Sequence, residues 1–351
     1  MMMNKLTMNE VIKRYKPFNP DEKNLSEILS KIKNRFKDVI SNSISSISKL
    51  SDGQNLNYLM QCDNSQKYLL KLISNKGYPC INSIAQCYDL LNSIGLSQYK
   101  IIDFDITNQY APYGFLIQKW IDGKSADEYF QTSFEDMCYK PDKQDWIVDY
   151  AKILNEIHKI KLDYFGDLEQ KVKFTSLRDY YLNLDQIVST SFGEILLEQT
   201  TIWDLCNKGV VARNFVIDVF KEIKNLTTDL FINKKPVLIY GDMLPANIIY
   251  SKNKPVIIDW DETRSNWWVY ELARTLYYIH SIPLAEKFLA YYDHSDTLKE
   301  IDLGIRIEHI KQDLRQIYFA VFSSRSHSEI QDKVNTIKSK IVNKLSKPIL
   351  E

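Results

Sequence analysis

The sequence lacks a surplus of charge of either sign, a cysteine pattern and a long apolar run, and each absence removes a class of function. Lysine plus arginine and aspartate plus glutamate number 45 each among 351 residues. Nucleic acids and anionic membranes are usually bound with a surplus of positive charge, so neither is expected as a partner. Five cysteines, Cys62, Cys80, Cys87, Cys138 and Cys206, are scattered without a CxxC pair or the Cys/His spacing of a zinc site. They read as reduced thiols of a cytoplasmic protein. No run approaches the roughly 18 apolar residues of a membrane span, and the N-terminus MMMNKLTMNEVIKRYKP is broken by polar residues before an apolar leader core can form. No repeat of solenoid period is present. What the chain does have is 44% hydrophobic residues, enough for the core of one two-lobed domain or two modest ones, as a monomer or homodimer.

The apolar periodicity divides the chain. NLNYLMQC (55–62) and QKYLLKLIS (66–74), separated by Asp-Asn-Ser, predict an antiparallel hairpin. Upstream lies the Ser-rich stretch SNSISSISKLSDG. Ile81, Ile84, Ala85, Tyr88, Leu91 and Ile94 recur at helical spacing and stop at Gly95. YKIIDFDI and YGFLIQKWI read as two further strands. After Gly123 helical periods dominate, over 146–160, 214–231, 268–281, 303–323 and 329–345, interrupted by three short strands, VLIY, NIIY and VIID. A strand-rich first third and a helical remainder predict an α+β chain of two lobes, with the boundary near residues 118–123.

The chemistry concentrates in Val237–Trp260, VLIYGDMLPANIIYSKNKPVIIDW. Asp242 follows an apolar strand through a glycine, Asn247 opens the next strand and Asp259 ends a third. Strand ends hold polar groups rigidly at the rim of an apolar scaffold. A carboxylate that orients a hydroxyl, with an amide oxygen and a second carboxylate for a hard cation, suits phosphoryl transfer with magnesium. Taken singly, each of the three is also ordinary turn chemistry. Lys71, flanked by Leu70 and Leu72, either snorkels outward or faces a ligand.

GDMLPAN followed by VIIDWDE resembles the aminoglycoside phosphotransferase and choline kinase superfamily, whose members carry a GDxxxxN loop and a hydrophobic strand ending in IDW or IDF. The resemblance implies a protein-kinase-like fold, with a small β-rich nucleotide-binding lobe over 1–118 and a larger, mainly helical catalytic and substrate-binding lobe over 119–351. It implies Asp242 as the catalytic aspartate, Asn247 and Asp259 as magnesium ligands, and Lys71 as the lysine on the α- and β-phosphates of ATP or GTP. Gly53, Gln54, Asn55 and Asn57 fall at the loop over the phosphates, although no GxGxxG is present. Gln118 to Trp120, in LIQKWIDG, fall where backbone groups meet the adenine edge. Two positions depart from the pattern. Tyr240 stands where the superfamily commonly has histidine, and 79–94 holds no glutamate to pair with Lys71, leaving Gln86, or less well Asp89, near that place.

Asp261, Glu262 and Glu271, with Trp267 and Trp268, follow the second metal position. Carboxylates beside aromatic faces suit a cationic acceptor. The competing assignment makes Asp261 and Glu262 solvated, pairs Glu271 within its helix and puts the tryptophans in the core. The activity expected is magnesium-dependent transfer of a nucleotide γ-phosphate to a hydroxyl of a small molecule, with an aminoglycoside-like antibiotic leading. A housekeeping kinase for choline, a sugar, an amino acid or a nucleoside follows, and a nucleotide-binding pseudokinase comes last.

Overall fold

The computed structural model describes residues 20–50, 55–74, 79–169, 173–182, 202–207, 209–227, 231, 233–323 and 326–350. They fall into two compact units, the first ending at Ile121 and the second beginning at Asp122.

The first unit opens with helix α1 (Glu22–Ile40), capped by Asp21, whose carboxylate accepts the Asn24 N–H at 2.8 Å. Strands β1 (Ile44–Lys49), β2 (Leu56–Cys62), β3 (Lys67–Leu72), β4 (Ile101–Asp105) and β5 (Phe115–Lys119) form one antiparallel sheet in the order β1-β2-β3-β5-β4, with helix α2 (Ile81–Ser93) between β3 and β4. Alternation along β2 and β3 sends Tyr58, Met60, Tyr68 and Leu70 to one face, where they bury Ile32 and Phe36 of α1. Arg35 of α1 fastens the sheet edge by a bidentate pair with Asp103 of β4, both contacts at 2.6 Å. The expected hairpin, helix and two further strands are present. In addition, the Ser-rich stretch supplies β1, whose serines Ser45, Ser46 and Ser48 remain exposed at the sheet edge while Ile44 is buried.

In the second unit, β6 (Lys124–Ser125) leads into α3 (Ala126–Phe130), α4 (Phe134–Tyr139) and α5 (Asp145–Ile157). Then come β7 (Phe165–Gly166), β8 (Lys173–Phe174), α6 (Leu177–Leu182), α7 (Ile202–Asn207) and α8 (Arg213–Leu226). Strands β9 (Val237–Ile239), β10 (Ile248–Ser251), β11 (Lys254–Ile257) and β12 (Arg264–Asn266) precede helices α9 (Val269–Ile279), α10 (Ile282–Tyr291), α11 (Leu298–Ser323) and α12 (His327–Ser346). Two small sheets result, ordered β11-β10-β6 and β8-β7-β12-β9. Gly123 lets β6 approach β10 closely, since a Cβ there would lie 2.4 Å from Ile249 Cγ2 and 2.8 Å from the Tyr250 carbonyl oxygen.

Helix α11 is buried nearly all round despite its charges, among them Arg306, Glu308, His309, Lys311, Asp313 and Arg315. Buried polar groups need partners. Here Asp313 accepts from Tyr277 Oη at 2.8 Å and Lys344 Nζ at 2.6 Å, His309 Nε2 meets the Ala273 carbonyl at 2.8 Å, and Arg306 donates to the carbonyls of Lys344 and Leu345 at 2.8 and 2.7 Å.

Candidate active site

Strand β9 delivers the chain to a loop, residues 240–247, that cannot satisfy its own backbone groups. Gly241 turns it with a positive φ of 86°, where a Cβ would come within 2.9 Å of the Glu262 carbonyl oxygen. Helix α9 supplies the missing partners from one face, at spacing i, i+3 and i+4. Glu271 accepts the N–H groups of Tyr240 and Gly241 at 2.6 and 2.7 Å, Arg274 Nε approaches the Gly241 carbonyl at 3.5 Å, and Thr275 Oγ1 donates to the Met243 carbonyl at 3.1 Å. From α5, Tyr150 Oη donates to the Leu244 carbonyl at 3.0 Å. The loop is thereby pinned at four residues, Tyr240, Gly241, Met243 and Leu244, that flank Asp242.

Asp242 and Asn247 are brought together as expected. Asn247 Nδ2 donates to Asp242 Oδ2 at 2.7 Å and to the Asp242 carbonyl at 3.1 Å. Burial, then the charges of Glu262 and Asp259, push the Asp242 carboxyl up to about 7, against the opposing pull of Arg274 and Asn247. Ile258 N donates to the Asn247 carbonyl at 2.9 Å and Ile248 pairs with Ile257, so Asn247 and Asp259 stand at the same open end of the β10–β11 hairpin. Asp259 adopts the left-handed region, φ 62°, which is uncommon outside glycine and concentrates at functional sites. Tyr240 has its own use in place of histidine: its hydroxyl donates to the Ile258 carbonyl at 2.7 Å, tying the loop to the strand that ends at Asp259.

This donor set fits magnesium. The Asn247 amide nitrogen is engaged by Asp242, which leaves the amide oxygen as its remaining coordinating atom, and Asp259 adds a hard carboxylate. No cluster of three His, Cys, Asp or Glu among the described residues could hold a metal alone. Magnesium commonly takes one or two side chains and completes its shell with phosphates and water.

The five residues expected to face a cationic acceptor lie elsewhere or are engaged. Glu271 is fully buried beneath the loop, and His158 Nε2 stands 3.4 Å from it while His158 Nδ1 meets Tyr292 Oη at 2.6 Å. Trp267 and Trp268 are core residues whose indole N–H groups share Asp296, at 3.3 and 2.6 Å. Glu262 lies between two guanidinium groups, 3.2 Å from Arg264 and 3.8 Å from Arg274. Asp261 is half-buried and is not free of contacts. Arg274, Thr275 and Tyr150 were not anticipated; the spacing of Glu271, Arg274 and Thr275 in ELART was the available signal.

In the first unit, Lys71 is 4% exposed and so does not snorkel. Asn57, directly across β2 from it, has a buried Oδ1 without a hydrogen-bond partner among the described residues. Facing pairs of this kind share one side of a sheet. Asn55 Oδ1 accepts the Ser74 N–H at 3.1 Å and closes the hairpin end. Gln118 accepts from Tyr88 Oη at 2.9 Å, and the Trp120 N–H donates to the Lys67 carbonyl at 3.2 Å. Gln86 lies on the exposed side of α2, whose buried stripe is Ile84, Cys87, Tyr88 and Leu91. Asp89 is exposed as well. Gly53 and Gln54 lie outside the described residues.

A strand-rich first unit, a helical second unit and an Asp-loop-Asn beside a strand-ending Asp define a protein-kinase-like small-molecule phosphotransferase. The chain belongs to the phosphotransferase enzyme family, whose model matches residues 46–303. Solved structures share the fold at low identity. Aminoglycoside phosphotransferase APH(4)-Ia is 12% identical with a TM-score of 0.59, the alignment covering 92% of this chain and 98% of that one. Choline kinase LicA from Streptococcus pneumoniae is 18% identical with a TM-score of 0.54, covering 91% and 99%, and has also been solved with AMP. An ethanolamine kinase from Plasmodium vivax is 18% identical with a TM-score of 0.56, covering 98% and 95%. No curated protein matches the chain by sequence.

Proposed function

We propose that the chain transfers the γ-phosphate of ATP or GTP to a hydroxyl of a small molecule, with Asp242 orienting the hydroxyl and taking its proton. The observation that carries this reading is the pinned loop itself: four anchored residues flank Asp242, and Asn247 bridges it to the hairpin end that bears Asp259. Asn247 and Asp259 would hold magnesium, which when bound neutralises the phosphate charge that develops during transfer. Lys71 would bind the α- and β-phosphates, its burial and its place opposite Asn57 supporting a ligand-facing role. The aminoglycoside-like acceptor rested on Asp261, Glu262, Glu271 and Trp267. Two of these are buried structural residues and a third is paired with arginines, so they do not favour an aminoglycoside-like acceptor over a housekeeping one.

The test is phosphate transfer, read by coupled assay and mass spectrometry over aminoglycosides, choline, sugars, hydroxy acids and nucleosides. Asp242→Ala should reduce transfer by roughly 10²–10⁴, the usual worth of a general base. Asp259→Asn should abolish magnesium-dependent turnover. Transfer at the wild-type rate in Asp242→Ala would overturn the assignment, and magnesium-nucleotide binding without transfer to any acceptor would favour a pseudokinase.

A further inference from the structure

Close to the catalytic loop, two buried polar atoms have no hydrogen-bond partner among the described residues: Tyr270 Oη and Glu308 Oε1. Their residues are only 2% and 7% exposed. Lys311, one turn beyond Glu308 on α11, is their common neighbour. Its Nζ lies 3.8 Å from Glu308 Oε1, past hydrogen-bond reach, and 3.6 Å above the ring of Tyr180. Tyr270 lies within electrostatic reach of Lys311, Arg264 and Arg274, and the Arg264 guanidinium sits 4.8 Å over its ring.

The cluster is contiguous with the reacting groups, because Arg274 also approaches the Gly241 carbonyl beside Asp242. At its rim the side chains of Glu262, Arg264 and Arg274 keep 12–13% of their surface exposed, while Tyr270, Glu308 and Lys311 are buried behind them. Glu262 serves both arginines, and Glu308 stands nearest Lys311. Among the described residues these three cations face Glu262, Glu308 and, through Arg274, Asp242, and Arg315 adds a fourth cation on the same stretch of α11.

A buried hydroxyl and a buried carboxylate oxygen left without a hydrogen bond are unfavourable in a free protein. They make physical sense if a bound molecule pairs them, and the surroundings specify that molecule. Arg264, Lys311 and the Tyr270 hydroxyl favour an anionic oxygen, whereas Glu308 Oε1 needs a donor. We infer that Tyr270, Glu308, Lys311 and Arg264 form the acceptor-recognition site, and that the acceptor is a small hydroxylated acid. Its carboxylate meets Tyr270, Lys311 and Arg264 while one of its hydroxyls donates to Glu308. The inference rests on the phosphotransferase reading above and gives its substrate a charge opposite to the one expected from sequence. In the reaction, a bond forms between the acceptor oxygen and the γ-phosphorus, the β,γ-bridging P–O bond breaks to release the nucleoside diphosphate, and the hydroxyl proton passes to Asp242.

Two matched series test it, glucuronate with glucose and glucosamine, and glycerate with glycerol and serinol. Each is read both by phosphate transfer and by thermal stabilisation, the latter with and without magnesium-nucleotide. An acid should exceed its neutral and cationic counterparts by about tenfold or more, the discrimination expected when buried polar groups would otherwise stay unpaired. Tyr270→Phe should raise KM for the acid by a similar factor with kcat little changed and Tm unchanged or higher, since it removes a hydroxyl that holds nothing in the free protein. Lys311→Met should erase the preference for the acid. Lys340→Ala, in a separate cavity of about 810 Å³ lined by Tyr277, Tyr278, Asp313 and Lys344, should change neither. Equal or better use of the neutral or cationic members, no gain from either acid by either readout, or a Tyr270→Phe variant with lowered Tm and unaltered KM would overturn the inference. Stabilisation by an acid without nucleotide, in a protein that neither binds nor turns over magnesium-nucleotide, would instead support the site while the phosphotransferase reading failed.

Discussion

The two units bury polar groups to opposite ends. In the first, α1 and the sheet close over Ile32, Phe36, Met60, Leu70, Phe115 and Ile117, and the few buried polar side chains include Asn55, which closes a hairpin, and Lys71. In the second, α9 and α11 carry Glu271, Thr275, Arg306, His309 and Asp313 into the interior. A sheet satisfies its own backbone, so its surroundings can be apolar and a buried ammonium stands out. The irregular loop at 240–247 has no ladder to rely on, and the neighbouring helices must bring hydrogen-bonding groups to it. Buried charge in the second unit is therefore scaffolding for the loop, whereas for Lys71 of the first unit we propose a ligand-facing position.

The contrast can be broken most sharply at Glu271. Glu271→Gln keeps one acceptor for two N–H groups; kcat should fall by roughly 10² and stability by about 3 kcal/mol, measured by transfer kinetics and denaturant unfolding. Next, Lys71→Met should raise the nucleotide KM by about tenfold or more while Tm moves little; a large loss of Tm with unaltered KM would make Lys71 scaffolding too. Arg35→Met removes the bidentate pair with Asp103 at a partly exposed edge and should cost about 1–2 kcal/mol of stability with no effect on transfer. A further effect concerns pH and is small near neutrality. Burial, then the charge of Lys344, hold His309 neutral down to about pH 3, whereas in the unfolded chain it protonates near its ordinary 6.5. Lowering the pH from 6.5 towards 3 therefore favours unfolding, by at most about 1.4 kcal/mol per pH unit for one proton. His309→Gln, whose amide can still donate to the Ala273 carbonyl, should flatten that slope in pH-dependent melting curves.

Much of this was legible in the sequence for local reasons. The hairpin, α2 and the helices of the second unit follow from apolar periodicity, and GDMLPAN with VIIDW marks Asp242, Asn247 and Asp259 because a loop between short strands leaves a fixed spacing. Helix α1 and strand β1 were not drawn from periodicity: β1 is an edge strand whose serines carry the exposed half of the pattern and hide it. The exposure of Gln86 follows from the apolar stripe of α2, which Ile84, Cys87, Tyr88 and Leu91 occupy. The anchoring by Glu271 was hidden for another reason, since a carboxylate that holds backbone N–H groups looks, in sequence, like any surface acid. The burial of α11 is the hardest case. Its charges lie on all sides, and only tertiary partners such as Tyr277, Ala273 and Lys344 explain why they are inside.

The close approach at Gly123 bears on engineering. Strand β6 is only two residues long, yet it pairs with the strand that follows Asn247, and any side chain at Gly123 would strike Ile249 and the Tyr250 backbone. A chimera that borrows the first unit from a relative should therefore be joined before Gly123 and keep Gly123–Ser125 from the recipient. A junction a few residues later would import a foreign edge against the hairpin of Asn247 and Asp259, and the hybrid would fail at the active site while both halves still folded.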